Sequence, residues 1–212
     1  MSPRIRHTIV HKASLQAIQN FMKSLPTPFS PLRALLGGAF CIAIFAGVAS
    51  AHPEPDIPVR SQFMKDGSCT VKIELDPRCF VAEPITTPYT VKSELDAMTL
   101  ERKEELRKLS RELINMSVEF LFEPSGKVAP DFAVEFSGIN EAPLKNDEDP
   151  VMLICTWKTK PPVGATGWKL RATKAAKFAV IFRNHIEGVE QPRFSVLFPG
   201  ETSFLLELTT AK

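Results

Sequence analysis

The sequence lacks the marks by which most enzyme families are recognised. It contains no GxSxG, no HExxH, no P-loop and no GxGxxG. No CxxC pair occurs, which removes zinc knuckles and thioredoxin-type redox motifs from consideration. Histidine occurs four times, at 7, 11, 52 and 185, so a histidine-rich metal centre has little to draw on. Acid is missing from the first 51 residues, which carry Arg4, Arg6, Lys12, Lys23 and Arg33. Setting those residues aside leaves 21 basic against 24 acidic side chains, a net charge of −3 in place of the +2 of the whole chain. That balance, without a basic stripe, argues against nucleic acid as a partner.

A long hydrophobic run is also missing. The apolar stretch Ala34 to Val48 is broken by Gly37, Gly38 and Gly47. It falls short of the roughly 20 residues a spanning helix needs. Arg33 before it and Ala49-Ser50-Ala51 after it complete the three regions of a secretory signal, with cleavage between Ala51 and His52. Phe40 before Cys41 does not fit a lipoprotein site. The expectation is therefore a leader and signal over 1–51, with Met22 as an alternative start, and a mature chain in the periplasm or secreted. Residues 52–58 (HPEPDIP) form a proline-rich arm, and 59–212 form one domain with no membrane span.

What is present in that domain is alternation. Val59–Lys65 and Ser68–Leu75 flank Asp66-Gly67, a hairpin signal. A three-residue Asp66-Gly67-Ser68 loop would set Phe63 opposite Val71, Ser61 opposite Ile73 and Val59 opposite Leu75. Cys79-Phe80-Val81 starts another short strand. Leu106, Leu109, Leu113 and Met116 recur at helical spacing, predicting one amphipathic helix near 94–116 that opens at Thr99 or Ser93. At Val118, Phe120 and Phe122 the period switches to two. Phe132, Val134 and Phe136 alternate again. Strands follow at Val151–Lys158, Trp168–Ala172, Phe178–Arg183, Phe194–Phe198 and Ser203–Leu208, separated by Gly and Pro turns. The continuous run Phe178–Phe182 reads as a central strand buried on both faces. The fold class expected is mainly β: an immunoglobulin-like β-sandwich of about eight strands with one inserted helix.

Candidate chemistry is sparse. Cys69, Cys79 and Cys155 follow the signal, which in an oxidising compartment means one bridge and one free thiol. Cys69–Cys79 is the local pairing, and either could pair with Cys155 instead. Cys155 on its apolar strand reads as a structural thiol. The Asp147-Glu148-Asp149 triplet lacks calcium-loop spacing and reads as a solvated loop. Cleavage would make His52 the first residue, joining a free amine to an imidazole, a chelate for copper or nickel. Pro53 removes the next amide nitrogen from such a site. His185 is the one other imidazole available, and Glu54 and Asp56 could add oxygen. Trp157 and Trp168, if exposed, would make a carbohydrate-binding platform.

The order of features resembles a known family. It runs from Ala51-His52-Pro53 at the cut, through the strand pair around Asp66-Gly67, to an acid-rich helix from Glu94-Leu95 to Glu104-Glu105-Leu106. Phe120-Leu121-Phe122-Glu123 with a Gly turn and a late Trp/Phe-rich β segment complete it. This resembles the periplasmic proteins that begin AHPHVF and are encoded beside nickel/cobalt permeases, and the extracytoplasmic domain of HupE/UreJ-type permeases. The resemblance implies an exported accessory protein that handles a transition metal such as nickel or cobalt, or docks on a membrane metal permease. His52 matches the family position. Glu54 stands where the family has a second histidine. No membrane segment follows Leu208, so the permease itself is not expected.

Overall fold

The computed structural model describes residues 54–208. The leader, the signal-like run, the cut site with His52 and the last four residues lie outside the described residues.

Period-two stretches become strands. In chain order these are β1 (Ile57–Phe63), β2 (Cys69–Leu75), β3 (Val118–Glu123), β4 (Gly126–Val128), β5 (Ala133–Ser137) and β6 (Met152–Thr159). After them come β7 (Gly167–Ala172), β8 (Val180–Ile186), β9 (Val189–Glu190), β10 (Ser195–Leu197) and β11 (Leu206–Glu207). They form a seven-stranded sheet in the order β10-β8-β1-β2-β6-β5, with β9 hairpinned onto β8, and a four-stranded sheet ordered β11-β7-β3-β4. All pairings are antiparallel except β1 with β8. The architecture is mainly β, as expected, but with eleven strands among the described residues rather than about eight.

The two sheets meet across an aromatic core. Trp168 on β7 packs on Phe63 of β1 and Phe182 of β8, at centroid distances of 5.9 and 6.5 Å. Phe120 of β3 meets Trp157 of β6 at 5.6 Å and stacks on Trp168 at 5.8 Å. Aromatic rings fill the space between sheets with large area and few rotatable bonds. One polar chain crosses this core. Trp168 Nε1–H donates to Ser61 Oγ at 2.9 Å, and Ser61 donates to Asn184 Oδ1 at 3.1 Å. That chain gives the buried indole N–H an acceptor, which its burial demands.

The hairpin turns one residue earlier than expected. Lys65-Asp66-Gly67 is the loop, closed by Met64 N–H to Ser68 O at 2.9 Å, with Gly67 at φ 76°. Val59 therefore faces Ile73 and Ser61 faces Val71. The register moves by two, so the same side chains stay inward. Only a glycine takes the left-handed third position without strain.

The single helix expected near 94–116 is two: α1 (Lys92–Ala97) and α2 (Leu100–Ser117). Thr99 breaks them apart. Its extended backbone cannot continue a helix, and its side chain accepts from Arg102 N–H at 3.2 Å as the N-cap of α2. The buried face of α2 is Leu106, Ser110, Leu113, Ile114 and Ser117. Leu109 is only half-buried and Met116 is exposed, so the stripe is rotated from the one anticipated. α2 passes into β3 without a loop, at Val118, where the period changes.

Two charged residues of α2 have a structural role. Arg107 Nε donates to Val134 O and Arg111 Nε to Phe132 O, both at 3.2 Å. β5 is the end strand of the large sheet, so α2 covers an edge that would otherwise offer free carbonyls to another chain.

Three further expectations are corrected. Cys79-Phe80-Val81 is not a strand: Pro77–Phe80 is a 3₁₀ turn capped by Asp76, whose carboxylate also holds the buried Arg78. Arg78 in turn lies 3.8 Å from the Tyr89 ring centroid, tying down the proline-rich loop between them. β8 is buried on one face only, because Ile181, Arg183 and His185 point away from the core. The last strand shrinks to Leu206–Glu207, since Phe204 and Leu205 turn outward.

Candidate functional site

At one end of the two sheets, several loops surround a cleft of about 550 Å3. The β1–β2 loop supplies Phe63, Met64, Lys65, Asp66 and Gly67. The β6–β7 connection supplies Lys160, Pro161, Pro162, Gly164 and Ala165, the end of β8 adds Ile186 and Glu187, and Leu208 closes one side. A cleft of this size lies within the roughly 300–1,000 Å3 typical of small-molecule sites.

Local sequence explains the walls. Pro161-Pro162 cannot extend β6, and Gly164 at φ 82° turns the chain back toward β7. Glu187-Gly188, with φ 51° and 83°, forms the two-residue hairpin turn between β8 and β9. That turn is pinned to β1 by Glu187 N–H to Phe63 O at 2.8 Å. Leu208 is held by its N–H to Thr166 O at 2.9 Å.

The rim charges are mostly committed. Glu187 pairs with Lys65 at 3.4 Å. The Asp66 carboxylate accepts from the Ser68 hydroxyl at 2.6 Å and the Ser68 N–H at 2.9 Å, which holds its acid below the usual carboxylate range. Lys160 attracts the same carboxylate, which lowers it further. The floor of Phe63, Ala165, Ile186 and Leu208 is apolar.

The residues singled out from sequence do not gather here. Glu54 is exposed and precedes β1. His185 faces Gln62 far along the same strand pair, with its Nε2 4.0 Å from Glu190 Oε2. Ile57, where β1 begins, and Gln62 are about 17 Å apart at strand rise, so Glu54 and His185 sit toward opposite ends of β1. Asp56 is half-buried, and burial pushes its carboxyl up. His52 lies outside the described residues. Among the described residues no three of His, Cys, Asp and Glu converge on one point.

Among the described residues Cys69, Cys79 and Cys155 are free thiols. Cys69 begins β2, and Cys79 follows its far end, where six residues of strand span about 20 Å. A disulfide needs Cα atoms within roughly 7 Å, so the Cys69–Cys79 pairing is corrected. Cys155 faces Ile73, four positions from Thr159, the partner of Cys69, or about 13 Å away. Burial pushes all three thiols up to about 12. Trp157 and Trp168 are both core residues, 6% and 0% exposed, which overturns the carbohydrate platform built on them.

Sequence reasoning missed an outward aromatic row. Phe194, Val196 and Phe198 on and beside β10 point away from the core, while Ser195 and Leu197 point in. Phe204 is also exposed. Arg183 lies 5.5 Å from the Phe194 ring and Arg193 5.4 Å from that of Phe204. Alternation over 194–198 predicted a strand. With apolar residues at four of its five positions it could not say which face was inward.

No family model matches this chain, and no curated protein matches it. No described helix is long and apolar enough to cross a membrane.

Proposed function

We propose that the protein is an exported, non-enzymatic accessory protein, periplasmic or secreted, that assists transition-metal handling or a membrane metal permease. The pattern Ala49-Ser50-Ala51 before His52-Pro53 carries this reading. One cleavage would release the chain from the membrane and also create an amine–imidazole pair for nickel, cobalt or copper.

The fold is compatible with that arrangement. β1 begins at Ile57 in the interior of the large sheet, so five residues tether His52 to a fixed strand. Covalent reach keeps such a terminus within about 18 Å of it. Glu54 lies on that short tether, whereas His185 belongs to the far end of the strand pair. The metal site of this reading takes the amine, His52 and Glu54, completed by the partner or by His185. The immunoglobulin-like form of the sheet pair belongs to the same proposal, supported by two largely antiparallel sheets facing across an aromatic core.

Calorimetry of the exported, processed chain with Ni2+, Co2+ and Cu2+ tests the metal part. One ion per chain is expected for at least one of them, lost in His52→Ala and weakened in Glu54→Ala. Failure of a chain verified by intact mass to bind any of the three refutes the metal part. A mass that does not begin at His52 refutes the cleavage on which it depends.

The outward row of Phe194, Val196 and Phe198 favours a second reading, a metal-independent interaction module of the cell envelope. In that case a membrane-fraction partner co-purifies in the presence of chelator and is lost in the Phe194→Ser/Phe198→Ser double variant.

A further inference from the structure

We infer that the protein pairs with a second copy of itself through the free edge of β10, in an antiparallel register that sets Phe194 of each copy opposite Val196 of the other. The large sheet ends in β5 on one side and in β9 and β10 on the other. The arginines of α2 cover the β5 edge. Among the described residues no strand pairs with the outer side of β10. Natural sheets blunt such edges with charge or proline. Phe194-Ser195-Val196-Leu197-Phe198 carries neither, and Phe194, Val196 and Phe198 are all exposed.

The ladder fixes which backbone groups are free. Gln191 N–H donates to Asn184 O, so Asn184, Phe182 and Val180 bond toward β9 and β10. The alternate residues of β8 bond toward β1, as Ala179 O does with Ile57 N–H. Ser195 faces Phe182 and Leu197 faces Val180, so these two commit their N–H and C=O to β8. Val196, opposite Ile181, turns its own outward. Phe194 continues the alternation, its ring 5.5 Å from the guanidinium of Arg183, the next β8 residue in register. Phe198 ends the row. Its N–H reaches the Glu201 carboxylate at 2.8 Å, and its C=O accepts from Glu201 N–H at 3.0 Å.

A second copy complements this edge. With a two-fold axis between the two Ser195 residues, the N–H and C=O of Phe194 meet the C=O and N–H of Val196 in the other copy, and the reverse. The next pair outward would be Pro192 with Phe198. Pro192 has no N–H and that of Phe198 is already engaged, so the ladder stops there without a stranded donor. On the outer face each Phe194 ring lies beside the other copy's Val196, which removes apolar surface from water. Such a contact is self-complementary and closes at two copies. It is independent of His52 and of the metal reading. It takes the row that favours the second reading and gives it a different occupant.

Analytical ultracentrifugation of the purified, processed protein from about 1 µM to about 500 µM tests the pairing, a range in which small interfaces dissociate. A reversible monomer–dimer equilibrium is expected. Val196→Pro removes an N–H that faces no neighbour within one chain, so the fold should persist while the dissociation constant rises at least about tenfold. Val196→Lys keeps the N–H, places a charge on the edge, and should also weaken the dimer. Leu100→Lys, at an exposed residue where α2 begins, should leave it unchanged. Circular dichroism shows whether each variant is folded. Hydrogen exchange followed by NMR reads the register. The Phe194 and Val196 amides should slow as concentration rises, whereas those of Ser195 and Leu197 should be slow throughout. A folded wild-type protein that stays monomeric across the range overturns the inference. So does a dimer that both folded Val196 variants retain, one that Leu100→Lys abolishes equally, or one in which the Phe194 and Val196 amides still exchange freely.

Discussion

The polar chain through the core gives a quantitative test of how the two sheets are held together. Trp168 is fully buried, and its indole N–H donates to Ser61 Oγ, which donates onward to Asn184 Oδ1. Trp168→Phe replaces a bicyclic indole with a single ring in a site lined by Phe63, Phe120, Phe122 and Phe182. The lost packing and residual cavity cost about 2–3 kcal/mol, by comparison with other large-to-small core changes. The lost hydrogen bond adds about 1 kcal/mol, because Ser61 keeps its bond to Asn184. A total near 3–4 kcal/mol is expected, a large share of the stability of a domain this size.

Ser61→Ala strands two groups instead, the indole N–H and the Asn184 amide oxygen. That costs about 2–4 kcal/mol with almost no change in volume. Because both variants break the same bond, the double variant should lose at least about 1 kcal/mol less than the sum of the singles. Urea unfolding followed by circular dichroism supplies all three values. A Trp168→Phe cost below about 1 kcal/mol, or strict additivity with Ser61→Ala, would refute the role given to this chain of bonds.

Three further outcomes follow from other parts of the fold. Arg107→Ala/Arg111→Ala should uncover the Val134 carbonyl on β5 and the Phe132 carbonyl just before it, lowering stability by about 1–2 kcal/mol and promoting association; a variant as soluble as wild type by light scattering would mean α2 does not guard that edge. The buried thiols make stability fall with rising pH. Cys69 and Cys155 have folded values near 12 against an ordinary value of 9, so below pH 9 both states hold the proton and nothing changes. Between 9 and about 12 only the unfolded chain gives it up, which removes about 1.4 kcal/mol per thiol for each pH unit. The stability read from denaturant melts should fall with rising pH across that range in wild type, and fall less steeply in Cys69→Ala/Cys155→Ala. Thiol titration of the processed chain should also find three reactive groups in denaturant and almost none in the native state; a count of one would restore the disulfide.

Some of the fold was legible because its causes are local. Val118, Phe120 and Phe122 alternate immediately after a helical repeat, and the helix-to-strand junction falls there. Asp66-Gly67 marked a hairpin because a left-handed position needs glycine, although the exact loop was set by Met64 and Ser68 closing around it. Thr99 is a candidate cap in the sequence, but so is Ser93, and the helical repeat does not mark a break between two helices. The Cys69–Cys79 pairing failed because nearness in sequence is not nearness in space when a seven-residue strand lies between. The tryptophans were ambiguous because burial depends on the sheet that comes to face them, and no local pattern encodes that.

By itself, then, the sequence determined the strand-rich class, the one long amphipathic helix, the negative balance after residue 51 and the signal-like approach to His52. These depend on side-chain periodicity, turn chemistry and composition, which act over a few residues. Only the tertiary structure decided which faces turned inward, that α2 lends two arginines to the β5 edge, and that Glu54 and His185 stand toward opposite ends of the β1–β8 pair. It alone assembled the cleft, whose walls come from residues 63–67, 160–162, 164–165, 186–187 and 208. Such a site is made by loop ends meeting across two sheets, and long-range pairing brings them together.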